Sequence, residues 1–159
     1  MKYAADTSVS VEQSRMEIER TVRRYGADQF MSGWRGSEAM IGFVMHDRQI
    51  KFVLPLPDRH SEEFTHYRHN SGKLVARSPK VAESAWEQAC RQRWRALNLV
   101  IKAKLEAVEC GISEFEAEFL ANIVLPNGTT YGEFAIPQIA IAYETKKMPP
   151  ILPLLEDKC

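Results

Sequence analysis

The sequence predicts an α+β fold in which helices cover one face of a small antiparallel sheet. Apolar residues alternate with a period of two over 29–56 and follow helical spacing over 79–110. Short turn signals divide the period-two stretch, and strands joined by such turns pair antiparallel. The 159 residues are 45% hydrophobic and 26% charged, which is typical of a folded domain and excludes a disordered or collagen-like chain. We therefore predict a single domain, 1–159.

An N-terminal helix is expected after a loose leader, residues 1–9. Ser10 and Gln13 have the spacing of a capping box, in which each side chain accepts a hydrogen bond from the backbone of the other residue. The helix carries a narrow apolar stripe, formed by Val11, Ile18, Val22 and Tyr25. Gly26 ends it, because glycine readily adopts the left-handed conformation that closes helices.

Three strands follow as an antiparallel meander. They are predicted at Gln29–Arg35, Glu38–Met45 and 48–56, with turns at Gly36-Ser37 and His46-Asp47. Because these connections are short, the strands pair in order, and one face of the sheet must be covered by helices.

One long central helix is the second partner of this sheet. Ser78 as cap and Pro79 in the first turn predict its start, and Gly111 closes it after Cys110. Its apolar stripe comprises Trp86, Cys90, Trp94, Leu97, Ile101, Leu105 and Val108. The polar residues that precede this helix, 58–78, lack periodicity and are expected to form a mobile loop.

A smaller, mainly helical part is predicted at the C-terminal end. A capping box at 113–116 begins a short helix, and a turn at 126–128 joins two short strands, Ile123–Leu125 and Thr129–Tyr131. A final helix is expected over Ile136–Lys146, with Pro137 in its first turn. Residues 148–159 are expected to form an extended apolar tail.

Charge and cysteine content narrow the class of protein. Lys plus Arg and Asp plus Glu both number 21, so the chain lacks the strong positive charge typical of many nucleic-acid-binding domains. The balance is uneven, because residues 1–112 carry about four net positive charges and residues 113–159 about four net negative ones. The cysteines, Cys90, Cys110 and Cys159, form no C-x-x-C pair, so neither a zinc site nor a disulfide framework is indicated. A reducing cytoplasm is the expected compartment, and no apolar run is long enough to predict a membrane span.

Catalytic, cofactor and metal motifs are not found in the sequence. It has no P-loop, no G-x-G-x-x-G and no recognisable nucleophile–base arrangement, so we predict no catalytic residue and no cofactor. Two groups could in principle bind a metal: His60, His66 and His69, and the glutamates Glu106, Glu109, Glu114, Glu116 and Glu118. Solvated loop histidines and outward-facing glutamates explain both groups without a metal, and we predict no metal site.

A basic ridge is the main candidate binding surface. Arg91, Arg95, Asn98 and Lys102 follow helical spacing on the face of the long helix opposite its apolar stripe, and Arg77 and Lys80 lie just before or at its start. Such a ridge could follow a phosphate backbone or contact a protein partner. A plain solvated helix face is the alternative, because arginine and lysine are good helix formers.

The apolar tail is the second candidate surface. Ile151, Leu152 and Leu154 lie in a segment whose prolines favour extended backbone. This segment could pack on its own domain, or it could dock on another subunit or on a partner.

Several stretches together resemble a group of small, functionally uncharacterised proteins encoded by tailed bacteriophages and prophages. They are 48–58, 91–97, 101–108, 119–128 and 148–150, that is RQIKFVLPLPD, RQRWRAL, IKAKLEAV, FLANIVLPNG and MPP. The resemblance extends over most of the chain from Val9 onward, except 58–78. It implies a phage protein that works in a bacterial host cytoplasm, and it brings no fold, activity or site residues with it.

The leading functional hypothesis is a non-enzymatic phage accessory protein that binds and modulates a host or defence component. The alternative is a nucleic-acid-binding accessory protein of phage replication or recombination, which would use the basic ridge. A third hypothesis is a metal-dependent hydrolase built on the glutamates. The expected partners are a host or phage protein, or a nucleic acid, or a second copy of the chain, and no membrane.

Overall fold

A computed structural model describes residues 2–148 and confirms the predicted α+β fold. The three-stranded sheet consists of β1 (Gln29–Arg35), β2 (Glu38–Met45) and β3 (Arg48–Pro55), in the order β1-β2-β3 with antiparallel pairing. His46 and Asp47 both have positive φ in the turn between β2 and β3, as a two-residue hairpin turn of this kind requires. The meander is therefore formed as its period-two pattern predicts.

Two helices cover one face of the sheet. They are α1 (Val11–Arg24) and α3 (Pro79–Glu109). Ser10 and Gln13 form the predicted capping box at the start of α1. The core between the helices and the sheet contains Ile18, Val22, Ile41, Phe43, Ile101 and Leu105, all nearly or fully buried. Apolar residues at helical spacing meet apolar residues at strand spacing, so both periodic patterns are satisfied by one core.

The two edges of the sheet differ. At the β3 edge, the backbone N–H of Val124 donates to Gln49 O (2.8 Å), and the Asn122 side chain donates to Lys51 O (3.1 Å). At the β1 edge, no described residue pairs with the strand, and the side chains from Met31 to Arg35 are all exposed. One edge is thus closed by the chain itself, and the other is open within residues 2–148.

Residues 58–78 contain regular structure where the polar sequence predicts a loop. A short helix, α2 (Glu62–Thr65), is followed by a hairpin of β4 (His66–Arg68) and β5 (Leu74–Ala76). Phe64 is buried and holds the segment against the domain. These elements are too short to produce a periodic signal, which is why the loop prediction is wrong here.

The N-terminal residues contact α3. The Gln88 side chain donates to the backbone oxygens of Ala5 (2.8 Å) and Thr7 (3.0 Å), and the Gln92 side chain donates to Tyr3 O (2.7 Å). The segment expected to be a loose leader therefore follows the surface of the long helix.

The C-terminal part corrects three predicted details. Helix α4 (Phe115–Phe119) begins after Glu114 without a side-chain cap, so no capping box forms at 113–116. A single bridge, Val124 with Thr130, replaces the two predicted strands. Helix α5 (Tyr131–Thr145) begins five residues earlier than expected. Thr130 and Glu133 form its capping box, and Pro137 lies inside the helix rather than in its first turn.

Candidate functional site

The predicted basic ridge is partly used to hold the fold together. Arg95 Nη1 lies 2.5 Å from Glu17 Oε2, and Asn98 Nδ2 donates to the same carboxylate oxygen at 2.8 Å. Asn98 is buried, and its predicted position opposite the apolar stripe is wrong, because it follows Trp94 by four residues and precedes Ile101 by three and so borders the stripe. Because α1 packs along this side of α3, the Glu17 carboxylate pairs with the Arg95 charge and accepts a hydrogen bond from Asn98. These two side chains are therefore not part of an exposed ridge.

The remaining ridge residues lie apart from each other. Lys102 is exposed in the C-terminal third of α3. Arg91 donates through Nε to Gln88 Oε1 at 3.0 Å and lies 3.9 Å from Glu87 Oε2. The four residues of the predicted ridge are thus divided between an interhelical contact and the solvent.

A basic groove brings together one arginine of the predicted ridge and the two other predicted cations. Arg77, Lys80 and Arg91 line a groove of about 990 Å³ between the β4–β5 hairpin and the start of α3. Tyr67 also lines it and is exposed. Among the described residues, no acidic side chain lines this groove. The sequence indicates these basic residues, but only the hairpin, which it does not predict, places them around a common groove.

Helix α5 exposes several large apolar side chains. Ile136, Ile139 and Tyr143 are 65%, 53% and 84% exposed, and Ile141 is also exposed. Gly132 is the one residue of α5 that is buried within the described structure, and a Cβ built on it would lie 2.8 Å from Ala121 O. The helix is therefore held to the domain at its first turn, and the following turns present apolar side chains to solvent. We call Ile136, Ile139, Ile141 and Tyr143 the α5 apolar surface.

The start of α5 is fixed by electrostatics as well as by packing. The backbone N–H of Thr130 donates to Glu133 Oε2 at 2.7 Å and, as the main cause, lowers the pKa of this carboxyl. Lys51 lies 3.7 Å from the other carboxylate oxygen and acts in the same direction. A charged Glu133 thus links the capping box of α5 to strand β3.

An aromatic cleft opens beside the first hairpin. Its volume is about 850 Å³, and it lies between the β1–β2 turn, the start of α1 and the N-terminal half of α3. Trp34 lines it and is 81% exposed, while Trp86 donates through Nε1 to Pro57 O at 2.8 Å. The Arg59 guanidinium lies over the Trp86 ring, 5.0 Å from its centroid. The sequence does not predict this cleft, because Trp34 belongs to a strand and its exposure is apparent only in three dimensions.

The groups considered for metal or acid–base chemistry do not converge. Glu106 accepts a hydrogen bond from Tyr25, Glu116 lies 2.7 Å from Arg48, and Glu118 lies 3.1 Å from Lys104. The hydrogen bond from Lys104 lowers the pKa of Glu118, and the hydrogen bond to Glu106 raises the pKa of Tyr25. In residues 2–148 no cluster of three or more histidine, cysteine, aspartate or glutamate side chains could hold a metal ion.

The cysteine in the apolar stripe of α3 is a core residue. Cys90 is buried, and this burial is the main cause that raises the pKa of its thiol. A thiol of raised pKa is a poor nucleophile near neutral pH, because the thiolate is the reactive form.

Two further predictions concern regions outside these surfaces. The tail residues Ile151, Leu152 and Leu154 lie outside the described residues. Within residues 2–148, no helix combines the length and the hydrophobicity needed to cross a membrane.

Comparisons of the chain with protein-family models, with curated proteins and with solved structures find no match. What the described surfaces can bind therefore follows from their own shape, charge and hydrophobicity.

Proposed function

We propose that the protein is a non-catalytic binding protein that docks the α5 apolar surface on a protein partner. The observation that carries this proposal is the exposure of Ile136, Ile139 and Tyr143 on a helix whose buried residue within 2–148 lies in its first turn. These residues occupy positions i, i+3 and i+7, so they share one helix face. This is the spacing by which amphipathic helices anchor in the apolar groove of another protein.

Hydrophobicity explains why such a helix favours a partner. Burying one isoleucine side chain contributes roughly 1.5–3 kcal/mol relative to leaving it in water. A helix that is apolar on more than one side is normally buried, and a patch of this kind on a monomer marks an interaction site. Residues 134–142 contain no charged side chain, so the surface is suited to apolar contact rather than to acid–base chemistry.

The resemblance to phage and prophage proteins supports the choice of partner. It favours a host or defence component, or a phage protein, in the bacterial cytoplasm. The sequence that follows α5 remains rich in apolar residues, with Ile151, Leu152 and Leu154, which is consistent with a contact surface that extends beyond the helix.

Site-specific photocrosslinking tests the proposal. A photoreactive phenylalanine derivative at position 139 is expected to give a discrete adduct in host cells, and the same group at the exposed Ile112 is not. The adduct partner, once identified and purified, is then titrated with the wild-type protein and with Ile136→Glu/Tyr143→Glu. We expect the double variant to lose roughly 100-fold in affinity, because both anchors become unable to enter an apolar groove.

The matched control is Ile112→Glu, because Ile112 is also largely exposed but lies in the turn before α4. Equal affinities for the wild-type protein and the α5 double variant would contradict the proposal.

The basic groove supports a second candidate function, the binding of single-stranded nucleic acid. Arg77, Lys80 and Arg91 could contact phosphates while Tyr67 stacks on a base, which is how many single-strand-binding proteins work. The test is a titration of labelled single- and double-stranded DNA at about 50 and 200 mM salt.

We expect Lys80→Glu/Arg91→Glu to abolish single-strand binding and to remove its salt dependence. Lys102→Glu reverses one charge outside the groove and is compared with the single variants Lys80→Glu and Arg91→Glu. If all three single variants lost binding equally, the groove would not be the site.

A further inference from the structure

Within residues 2–148, the outer edge of β1 carries backbone groups that no other strand pairs with. The turn at Gly36-Ser37 makes Arg35 and Glu38 the closing pair of a two-residue hairpin, and such pairs share backbone hydrogen bonds. Alternate residues of β1 therefore direct their N–H and C=O groups away from β2. On this register the outward groups belong to Phe30, Ser32 and Trp34.

This edge lacks the features that usually prevent strands from pairing. Stretch 29–34 contains no charged residue and no proline, whereas natural edge strands are commonly blocked by lysines, prolines, bulges or covering segments. The opposite edge shows the usual arrangement, because residues 122–124 cover it. An uncharged edge that no described residue pairs with is a ready template for another strand.

We propose that the partner of this edge is β1 of a second copy of the chain, paired antiparallel around a two-fold axis at Ser32. Ser32 is the midpoint of the seven-residue strand, so this register overlaps all of it. The outward groups of Phe30, Ser32 and Trp34 then face those of Trp34, Ser32 and Phe30 in the other copy. About six backbone hydrogen bonds join the copies, and the two sheets become continuous.

In this register, the side chains of β1 in one copy face complementary side chains of β1 in the other. Trp34, 81% exposed in the single chain, comes directly opposite Phe30 of the other copy. Cross-strand aromatic pairs of this kind stabilise antiparallel sheets. Because Phe30, Ser32 and Trp34 share the face of the sheet that α1 and α3 cover, the second copy also forms a new wall for the aromatic cleft that Trp34 lines.

The charges at the ends of β1 also fit a second copy. Arg35 is the single charged residue of the strand, and the two-fold axis keeps the two Arg35 residues a strand length apart. Each Arg35 instead faces Gln29 of the other copy, next to Asp28. The pairing thus avoids contact between like charges and brings a cation close to an acidic residue.

Sedimentation velocity over roughly 1–100 µM tests this interface. We expect a reversible dimer for the wild-type protein and for Ser32→Ala, which keeps the backbone groups. Ser32→Pro removes an outward N–H at a position where an edge strand tolerates proline, and it is expected to remain monomeric. Ser32→Lys, which places two like charges on the axis, is expected to weaken the dimer at least 10-fold, while Ser37→Lys in the turn leaves it unchanged.

Disulfide trapping checks the register. Cα atoms of directly opposite, hydrogen-bonded residues lie about 5.5 Å apart, which suits a disulfide bond. In a Cys110→Ser/Cys159→Ser background, Ser32→Cys is expected to give a covalent dimer on mild oxidation, and Ser37→Cys is not.

A wild-type protein that stays monomeric throughout this range would overturn the proposal, as would a Ser32→Lys dimer as strong as that of the wild type. The test is independent of partner binding by α5, because Ile139→Glu is expected to leave the dimer intact. If Ile139→Glu dissociated a dimer that Ser32→Lys preserved, α5 and not β1 would be the interface between copies.

Discussion

Helices α3 and α5 use their apolar residues in opposite ways. Helix α3 places its apolar stripe against α1 and the sheet, with Ile101 and Leu105 buried, and leaves polar side chains on its other side. Helix α5 has only two charged residues, Glu133 and Glu144, yet most of its apolar side chains are exposed. Apolar content alone therefore does not determine burial. Apolar residues that form one stripe along a helix, as in α3, indicate packing within the chain. Apolar residues on several sides of an exposed helix, as in α5, indicate contact with another molecule.

The strongest test of this contrast is to truncate one isoleucine in each helix. Ile101→Ala is expected to lower the free energy of unfolding by about 2–5 kcal/mol, because it leaves a cavity in the core. Ile139→Ala removes the same atoms from an exposed position and is expected to change the free energy of unfolding by no more than about 0.5 kcal/mol. Urea unfolding followed by tryptophan fluorescence measures both. Equal losses would show that α5 is packed like α3.

The attachment of α5 at its first turn can be broken at Gly132. In Gly132→Ala, the new Cβ would lie 2.8 Å from Ala121 O and 3.2 Å from Ala121 Cβ. We therefore expect the free energy of unfolding to fall by about 1–3 kcal/mol. Hydrogen exchange should rise over α5 more than over α3. Gly33→Ala is the control, because open space surrounds Gly33, and it should leave exchange in α5 unchanged.

The contact between α1 and α3 depends on one carboxylate. Glu17→Ala is expected to lower the free energy of unfolding by about 1–2 kcal/mol, because it leaves the buried Asn98 amide without its acceptor and Arg95 without its ion pair. Glu19→Ala also removes a carboxylate from α1, but that carboxylate pairs with the exposed Arg23. We therefore expect the free energy of unfolding to fall by about 0.5 kcal/mol or less. Thermal unfolding distinguishes the two variants, and equal shifts would contradict a special role for Glu17.

A small gain in stability is expected when one buried polar group of α1 is removed. The Ser14 hydroxyl is buried, and no described residue forms a hydrogen bond with it. Ser14→Ala removes an unpaired polar group at little cost in packing, so the free energy of unfolding should rise by up to about 1 kcal/mol. A lower melting temperature for Ser14→Ala would mean that the hydroxyl is satisfied in solution.

The smallest predicted effect concerns the pH dependence of α5. The pKa of Glu133 lies below its ordinary value of 4.5. The charged carboxylate therefore contributes stability above about pH 4.5, and this contribution is lost as the pH falls through the lowered pKa. Glu133→Gln keeps an acceptor for the capping box but does not titrate. The stability advantage of the wild-type protein over this variant should shrink below pH 4.5, as measured by circular dichroism. An advantage independent of pH would exclude the carboxylate as its source.

The sequence predicts the meander and α3 well because their apolar periods extend over many residues. It does not predict the β4–β5 hairpin, whose strands are only three residues long. The Glu17 contact also escapes prediction, because it joins residues about 80 positions apart. For α5, the spacing of Thr130 and Glu133 is a capping-box signal that could have located the true start. Pro137 instead favours a later start, because proline is best tolerated in the first turn of a helix.

The order of the elements along the chain has a consequence for biosynthesis. The buried core ends at Phe119, with Ile123 packed against it, whereas the exposed part of α5 begins near Ile136. Translation proceeds at roughly 5–20 residues per second, and small domains typically fold in microseconds to seconds. The exposed apolar residues of α5 are thus synthesised after the strands and helices that form the core. This order limits non-native contacts between α5 and an incompletely folded sheet.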